Sequence, residues 1–284
     1  MTATGTTSVD APTRFHDLDG ERIAYRTVGR GEPLVLLHRF RASMDDWDPA
    51  LIDALARHRQ VVLFDSVGVG ESSGSTATSV EAAADFAAAF TRDLGFTRAD
   101  FLGWSLGGMV GQALALRHPE LVRGLVLAGT TAPAGTPEVI PSSPEWGGVA
   151  AKPTVTAADL LYLFFPAHEA GVAAGQASLE RTSLRRRAEE IKTTQATMAA
   201  QYQAIVSFYK DEGAIFPALR SITAPTLVAN GNADGAFPAI DSIVLAREIP
   251  GATLILYPDA GHGFLFQLAE RFAADVHTFL TVSA

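Results

Sequence analysis

Ser105 stands between Gly103 and Gly107 in a Gly-x-Ser-x-Gly pattern, a spacing typical of a serine nucleophile on a tight turn. Residues 98–104 before it predict a short buried strand, and residues 106–118 after it predict a helix. A strand that turns directly into a helix forces the residue between them into a strained conformation and exposes its side chain. Glycines flank it because a Cβ at either position would crowd the turn. The pattern therefore predicts a nucleophilic serine and not merely a structural turn.

A serine hydroxyl becomes nucleophilic only when a base removes its proton, and the base needs a carboxylate partner. When the serine lies on such a turn, the acid and the histidine follow it in the chain. His262 is the candidate base among seven histidines, because Ala-Gly-His-Gly lies between the last predicted strand and the last predicted helix. Asp234 is the one carboxylate in the loop of residues 229–238, after the penultimate strand, whereas residues 129–134 offer none. Asp259 is a rival, although an aspartate on so short a loop tends to bond its own backbone.

An acyl-transfer site also needs two backbone N–H groups that point at the developing oxyanion. The N–H of Leu106 begins the helix after the serine, where the helix dipole adds positive potential. The second donor is expected from the loop after the apolar run 33–37, which reads His-Arg-Phe-Arg, and Phe40 is the predicted donor.

These loops lie at the ends of apolar segments that alternate with helical patterns. The sequence predicts strands at 22–28, 33–37, 61–64, 98–104, 125–128, 226–229 and 253–257, and helices near 47–57, 80–94, 106–118, 240–249 and 264–280. Continuous apolar strands separated by helices predict an α/β fold, with a mostly parallel sheet that carries helices on both faces. Such sheets bind ligands at the carboxyl ends of their strands, which is where the candidate residues cluster.

This alternation stops between residues 132 and 217, where a Pro-, Gly- and Ser-rich stretch is followed by a mostly helical pattern. We therefore expect a flexible tail over 1–13, a core from 14–131 and 218–284, and an inserted helical cap over 132–217 that lies above Ser105. Several aromatic residues of the cap and of the loops around the serine are candidate substrate contacts: Tyr162, Phe164, Phe165, Trp104 and Phe237. An individual ring of the cap is more often expected to pack it onto the core, although some rings must face the cavity that the cap encloses.

The composition is that of a globular protein with a large core, since 48% of the residues are hydrophobic and 19% are charged. A net charge of −9 without a basic stripe disfavours nucleic acid and anionic membranes as partners. The absence of cysteine excludes disulfides, thiolate nucleophiles and cysteine-based metal sites, and it suits a cytoplasmic location. No apolar run approaches the roughly 18 residues of a membrane span. The oligomeric state is not readable from the sequence.

Together these motifs resemble the α/β-hydrolase superfamily over nearly the whole chain. Gly-Trp-Ser-Leu-Gly-Gly, Gly-Asn-Ala-Asp and Ala-Gly-His-Gly stand in the order of that family. Residues 65–72 resemble its D-x-R-G-x-G-x-S loop, with Val67 at the position that is usually basic. The resemblance implies a triad of Ser105, His262 and Asp234, an acyl-enzyme intermediate, and neither a cofactor nor a metal.

One loop departs from the family pattern. Most members carry His-Gly before the oxyanion donor, whereas this chain has His38 followed by Arg39. We expect the Arg39 side chain to point outward, so that the backbone can still approach the substrate. Alternatively, Arg39 or Arg41 reaches the pocket and holds a substrate carboxylate, with His38 as a further candidate contact.

The leading hypothesis is a hydrolase that cleaves an ester or lactone of a small acyl substrate through an acyl-enzyme. A cofactor-free, haloperoxidase-like perhydrolase would use the same residues with peroxide as the acceptor. A receptor that keeps the triad but turns over slowly is the third interpretation, and the fold alone does not decide between them. The sequence does not determine the identity of the acyl group or the leaving group.

Overall fold

The computed structural model describes residues 7–135, 138–184 and 193–282. The strands within these residues are β1 (Arg14–Leu18), β2 (Glu21–Val28), β3 (Pro33–Leu37), β4 (Gln60–Phe64), β5 (Ala99–Trp104), β6 (Val122–Ala128), β7 (Thr226–Gly231) and β8 (Thr253–Tyr257). They form one sheet in the order β1-β2-β4-β3-β5-β6-β7-β8. The pairs β1–β2 and β2–β4 are antiparallel, and every other pair is parallel. The predicted α/β fold with a mostly parallel sheet is confirmed.

The helices of the described residues are α1 (Pro49–Ala56), α2 (Val80–Asp93), α3 (Leu106–Arg117), α4 (Pro144–Ala150), α5 (Ala157–Phe164), α6 (Glu169–Ser183), α7 (Gln195–Tyr209), α8 (Ile215–Ala218), α9 (Ala239–Glu248), α10 (Phe264–Gln267) and α11 (Ala269–Val282). The single closing helix predicted over 264–280 is two helices, with a break at Leu268, which caps the end of α10 in a non-helical conformation. None of these helices has the length and apolar character that a membrane crossing requires.

Alternation along the strands produces two apolar cores, one on each face of the sheet. Val35 and Leu37 of β3 pack into the core formed with α2, α3 and α9. Leu34 and Leu36 of the same strand pack into the opposite core, with α1 and α11. Successive side chains of a strand point to opposite faces, so a strand buried on both faces must be apolar throughout. This requirement accounts for the unbroken apolar run at 33–37.

The segment predicted as the cap contains α4 to α7, which lie between β6 and β7 in the chain. It is joined to the core by Arg181 of α6, whose guanidinium donates to both carboxylate oxygens of Asp48 at 2.8 and 2.6 Å. Asp48 also caps the start of α1, so it anchors the cap to an element of the core. Residues 136–137 and 185–192 of the segment lie outside the described residues.

The start of the chain differs from the predicted flexible tail. Ala11 is fully buried in the core beneath α1, and the Ser8 N–H donates to Asp53 Oδ1 at 2.7 Å. The Thr13 hydroxyl accepts a hydrogen bond from Arg26 Nε at 2.9 Å. Residues 8–13 are thus fastened to the core by tertiary contacts that a Thr-, Ser- and Ala-rich composition does not reveal. The rest of the predicted tail, residues 1–6, lies outside the described residues.

A buried carboxylate on β5 links three segments of the sheet at the amino-terminal ends of its parallel strands, opposite the candidate site. Asp100 on β5 is 1% exposed, and its Oδ2 accepts from Arg59 Nη1 at 2.8 Å and from Arg123 Nη2 at 2.6 Å. Its Oδ1 accepts from Arg123 Nε at 2.9 Å. Arg59 directly precedes β4 and Arg123 lies on β6, so Asp100 links β5 to its neighbour β6 and, across β3, to the start of β4.

Replacing Asp100 by asparagine removes this charge and leaves two guanidinium groups close together and poorly compensated. We expect Asp100→Asn to lower the free energy of unfolding by about 3 kcal/mol, as measured by urea denaturation. Glu120→Gln, which breaks an exposed ion pair with Arg92, is the control and should cost far less because solvent screens it. Equal losses for the two variants would contradict a structural role for Asp100.

Candidate active site

Ser105 is the single residue between the end of β5 and the start of α3. Its backbone adopts φ 59° and ψ −118°, a conformation that L-residues rarely take. The turn is held by the Ser105 N–H, which donates to Ala128 O at 2.9 Å, and by the Thr130 hydroxyl, which donates to Ser105 O at 2.8 Å. The Ser105 side chain does not cap α3 and lines a cavity instead. The backbone is therefore fixed, and the hydroxyl is presented to the cavity.

The two glycines of the motif are required by close approaches of the backbone. A Cβ on Gly103 would lie 2.2 Å from Gly107 O, and one on Gly107 would lie 2.0 Å from Leu37 O. Neither clash involves a flexible side chain that could move away. Any larger residue would therefore push α3 away from β3 and β5 and displace Ser105.

Asp234 and His262 come from loops at the carboxyl ends of β7 and β8, and the structure brings them into contact. His262 Nδ1 donates to Asp234 Oδ2 at 2.8 Å, and both side chains are buried. Asp234 Oδ1 accepts the N–H groups of Ala236 and Phe237 at 2.7 and 3.1 Å, which holds the carboxylate in place. A carboxylate only accepts hydrogen bonds, so Nδ1 carries the imidazole proton and Nε2 is left as a base.

The rival acid, Asp259, does not occupy this position. It is exposed in the turn after β8, with a φ of 53°. Its carbonyl oxygen accepts a hydrogen bond from Gln267 Nε2 at 2.8 Å. The structure thus pairs His262 with Asp234.

Aromatic rings surround His262 and limit its contact with water. Four rings have their centroids within 5.9 Å of the imidazole centroid: Trp104 at 5.6 Å, Phe237 at 5.6 Å, Phe164 at 5.8 Å and Trp146 at 5.9 Å. Trp104 Nε1 also donates to the His262 carbonyl at 3.1 Å, which fixes the backbone that carries the imidazole. A shell of this kind orients the ring and lowers the local dielectric, which strengthens its bond to Asp234.

Ser105 and His262 line the same cavity, which has a volume of about 460 Å³. Its walls include Phe40 from the loop after β3 and Trp146 and Phe164 from the cap segment. Four acidic residues also line it, namely Asp45, Asp46, Asp65 and Glu71. The size suits a small organic molecule.

The candidate substrate contacts fall into three groups. Arg39, Arg41 and Phe164 line the cavity that holds Ser105. Tyr162 and Phe165 line a second cavity of about 240 Å³, which shares Trp146, Phe164 and His262 with the first. His38, Trp104 and Phe237 line neither of these two cavities, and their predicted contact with substrate stays a prediction. Trp104 and Phe237 both pack against the imidazole ring of His262.

His38 is buried against Phe64 and lines a separate small cavity. Burial lowers the pKa of His38 to about 4, so the ring is neutral near pH 7. Within the described structure neither ring nitrogen has a hydrogen-bond partner. His38 therefore packs behind the loop and does not face the reacting groups.

The outward orientation predicted for the Arg39 side chain is wrong. Its guanidinium lies 4.8 Å from the ring centroid of Phe164 and 5.5 Å from that of Trp104. Arg39 Nη2 lies 3.3 Å from Asp46 Oδ1, so the cation has a carboxylate partner. The side chain thus forms part of the cavity wall next to the aromatic shell of His262.

The two predicted oxyanion donors come from different elements of the structure. Leu106 is the first residue of α3, where an N–H has no acceptor within the helix. Phe40 belongs to the loop of residues 38–43, which we call the oxyanion loop, and it lines the cavity.

Asp65 ties the end of the oxyanion loop to the core. The N–H groups of Met44 and Glu71 donate to its Oδ1 and Oδ2 at 2.7 and 2.8 Å, and burial raises the pKa of Asp65 to about 7. Gly70 is the second glycine of residues 65–72, the loop that resembles the family's D-x-R-G-x-G-x-S pattern. A Cβ on Gly70 would lie 2.1 Å from Asp65 Oδ2, which explains why this position is a glycine.

Trp146 is a residue of the site that the sequence does not single out. It lies on α4, lines both cavities, and donates from Nε1 to Leu163 O at 3.1 Å. The available signal is that Trp146 is one of three tryptophans in the chain and lies in the segment predicted to cover the site. Only the packing of α4 on α5 turns it toward His262.

Comparison with known proteins agrees with this geometry. The sequence model of the family described as alpha/beta hydrolase fold matches residues 32–267. A 2-hydroxymuconate semialdehyde hydrolase of Pseudomonas putida is 30% identical, over 96% of this chain and 97% of its own length. An alpha/beta hydrolase fold protein from Chitinophaga pinensis superimposes with a TM-score of 0.85 at 31% identity, over 96% of this chain and 98% of that one. An enol-lactonase from Burkholderia xenovorans LB400 superimposes with a TM-score of 0.76 at 25% identity, over 94% and 100% of the two chains.

The matched region spans the serine turn, the Asp234 loop and His262, and the Pseudomonas putida and Burkholderia xenovorans relatives are both named as hydrolytic enzymes. The chain therefore belongs to the α/β-hydrolase fold family and is a hydrolase.

Proposed function

We propose that this protein hydrolyses a carboxylic ester or lactone through an acyl-enzyme formed on Ser105. The observation that carries the proposal is the buried His262–Asp234 pair, which opens onto the same cavity as a serine in a strained turn. Each of the three residues then has a role that its surroundings favour. Ser105 is the nucleophile, His262 the general base and acid, and Asp234 the group that orients the imidazole.

In the acylation step, Ser105 Oγ attacks the substrate carbonyl carbon while His262 Nε2 removes the hydroxyl proton. The negative charge that develops on the carbonyl oxygen is stabilised by the N–H groups of Leu106 and Phe40. The Asp234 carboxylate stabilises the imidazolium that forms. Collapse of the tetrahedral intermediate breaks the bond to the leaving oxygen, which takes the proton from His262 Nε2 and departs as the alcohol.

In the deacylation step, water attacks the acyl carbon as His262 Nε2 removes one of its protons. The same two N–H groups stabilise the second oxyanion, and its collapse returns the proton to Ser105 Oγ and releases the acid. With a lactone the leaving alcohol stays attached to the acyl group, so one hydroxy acid is the product. The similarity to an enol-lactonase supports including lactones in the substrate class.

A second candidate is hydrolysis of an unsaturated semialdehyde acid, because the Pseudomonas relative is named for 2-hydroxymuconate semialdehyde. Arg39 in the cavity wall offers a cation for the carboxylate of such a substrate. However, Arg39 already lies against Asp46. Asp45 and Glu71, which line the same cavity, are paired with Arg26, so Arg26 and Arg39 both already have carboxylate partners. The electrostatics therefore favour an ester or lactone that lacks a free carboxylate.

Removing the nucleophile is the first test of the proposed function. We expect Ser105→Ala to lower kcat for a short p-nitrophenyl ester by at least about 10³-fold, because no other group forms the acyl-enzyme. The urea unfolding midpoint should stay close to that of the wild type. Ser183→Ala, on an exposed position of α6, is the matched control and should retain full activity. Undiminished turnover by the Ser105 variant would refute the proposal.

The choice of acid is tested by a matched pair of aspartates. Asp234→Asn should lower kcat by about 10³- to 10⁴-fold, because an amide at this position no longer holds His262 in the productive tautomer. Asp259→Asn should leave kcat within about twofold, since asparagine tolerates the same left-handed turn. Steady-state kinetics on one ester measure both variants. The reverse ranking would show that Asp259 is the catalytic acid.

A substrate panel separates the proposed activity from its alternatives. We expect p-nitrophenyl esters or lactones to give kcat/KM values above about 10⁴ M⁻¹ s⁻¹, in the usual range for enzymes. 2-Hydroxymuconate semialdehyde should be a poor substrate, and acetate-dependent peracid formation should be slow. A clear preference for the semialdehyde would favour the second candidate. Peracid formation faster than hydrolysis would favour a perhydrolase, and tight binding without turnover would favour a receptor.

A further inference from the structure

The cap segment holds the oxyanion loop by its backbone at Arg41, next to the proposed donor Phe40. The Arg41 N–H donates to Gln201 Oε1 on α7 at 2.8 Å. The hydroxyl of Thr193, just before α7, donates to the Arg41 carbonyl at 2.9 Å. Gln201 is itself buried, so these contacts are shielded from water. Two successive peptide groups of the loop are thus bonded to residues more than a hundred positions later in the chain.

The Arg41 side chain also binds the cap, here as a donor to backbone carbonyls of the cap segment. Its Nη1 donates to Ala150 O at 3.0 Å and to Lys152 O at 2.6 Å, and its Nη2 donates to Pro153 O at 3.1 Å. These carbonyls lie at and just beyond the end of α4, where helix carbonyls lack partners of their own and attract cations. Three of the five N–H groups of the guanidinium are thereby used. Arg41 is therefore committed to the cap and is poorly placed to hold a substrate anion.

The backbone of Arg41 depends on these contacts. Its φ of 63° is in the left-handed region, which is unfavourable for a residue with a long side chain. Such a conformation persists only where surrounding contacts hold it. The peptide between Phe40 and Arg41 is fixed on both sides, since Arg39 Nη1 donates to its carbonyl at 2.7 Å and Gln201 accepts from its N–H.

The Phe40 N–H belongs to the peptide group between Arg39 and Phe40. That group is separated from the fixed peptide group between Phe40 and Arg41 by only the two backbone dihedrals of Phe40. A rotation of the fixed group would therefore redirect the Phe40 N–H. A donor must lie within about 3 Å of the developing charge, and small displacements cost catalysis steeply. The other end of the loop is bonded to Asp65 in the core. Apart from the bond from Arg39 within the loop, the hydrogen bonds that hold the peptide groups of Arg41 come from the cap.

We infer that Arg41 and Gln201 are positioning residues through which the seated cap sets the direction of the Phe40 N–H. The inference rests on the proposed function, because it concerns the oxyanion hole of that same site. In this arrangement the cap does more than enclose the substrate. Movement of α7 or of the segment after α4 changes the stabilisation of the tetrahedral intermediate, while the binding of the intact substrate is little affected.

The test is stopped-flow release of p-nitrophenol from a short ester, which separates the substrate dissociation constant from the acylation rate constant. Gln201→Leu removes the acceptor for the Arg41 N–H, and Arg41→Met removes the hydrogen bonds from the guanidinium to the cap carbonyls. Each should lower the acylation rate constant by about 10- to 100-fold, with a substrate dissociation constant within about threefold of the wild type. Gln201→Glu keeps an acceptor oxygen and should restore the rate constant to within about threefold.

Gln203→Leu is the matched control, because Gln203 is exposed two positions further along α7 and should tolerate leucine without loss of rate. If Arg41→Met fails to fold, the comparison of Gln201→Leu with Gln201→Glu decides the question. The inference is overturned if Gln201→Leu acylates at the wild-type rate, or if it weakens only substrate binding. The proposed function fails by a different result, namely turnover that does not depend on Ser105. The failure of the inference and the failure of the proposed function can therefore be distinguished.

Discussion

The rest of the site depends on the direct turn from β5 into α3. That turn leaves one residue, Ser105, in a backbone conformation with positive φ and directs its hydroxyl into a cavity. It exists only because Gly103 and Gly107 allow the backbones of α3, β3 and β5 to approach each other. The strain is held by hydrogen bonds from the neighbouring strand β6 and its loop, so the serine is fixed before any substrate arrives.

Parallel strands gather the partners of the serine, because their carboxyl ends share one edge of the sheet. The Asp234 loop follows β7, the His262 loop follows β8, and the oxyanion loop follows β3, on the other side of β5. Each loop is short and is anchored by hydrogen bonds, so precision comes from the sheet and not from long flexible segments. The cap adds two elements that the sheet does not supply: aromatic rings against His262, and backbone contacts to the oxyanion loop.

Much of this arrangement was predictable from local sequence. Strand ends, turn residues and chain order are properties of short segments, and they led to Ser105, Asp234 and His262 without any knowledge of packing. Features set by distant contacts were not predictable. The inward orientation of Arg39 depends on Phe164 of the cap, and the conformation of Arg41 depends on side chains and carbonyls more than a hundred residues away. The packing of Trp104 and Phe237 against His262 likewise depends on the fold and not on local sequence. Proximity in sequence to a catalytic residue does not show which face of the ring meets the cavity.

Trapping of the covalent acyl-enzyme is the decisive experiment for the proposed role of Ser105. A slowly hydrolysed p-nitrophenyl ester should release a burst of about one p-nitrophenol per chain when acylation outpaces deacylation. Intact-mass measurement during the burst should show one added acyl group, and peptide mapping should locate it on the peptide that contains Ser105. An acyl group on a different residue, or turnover by a chain that is never modified, would contradict the account.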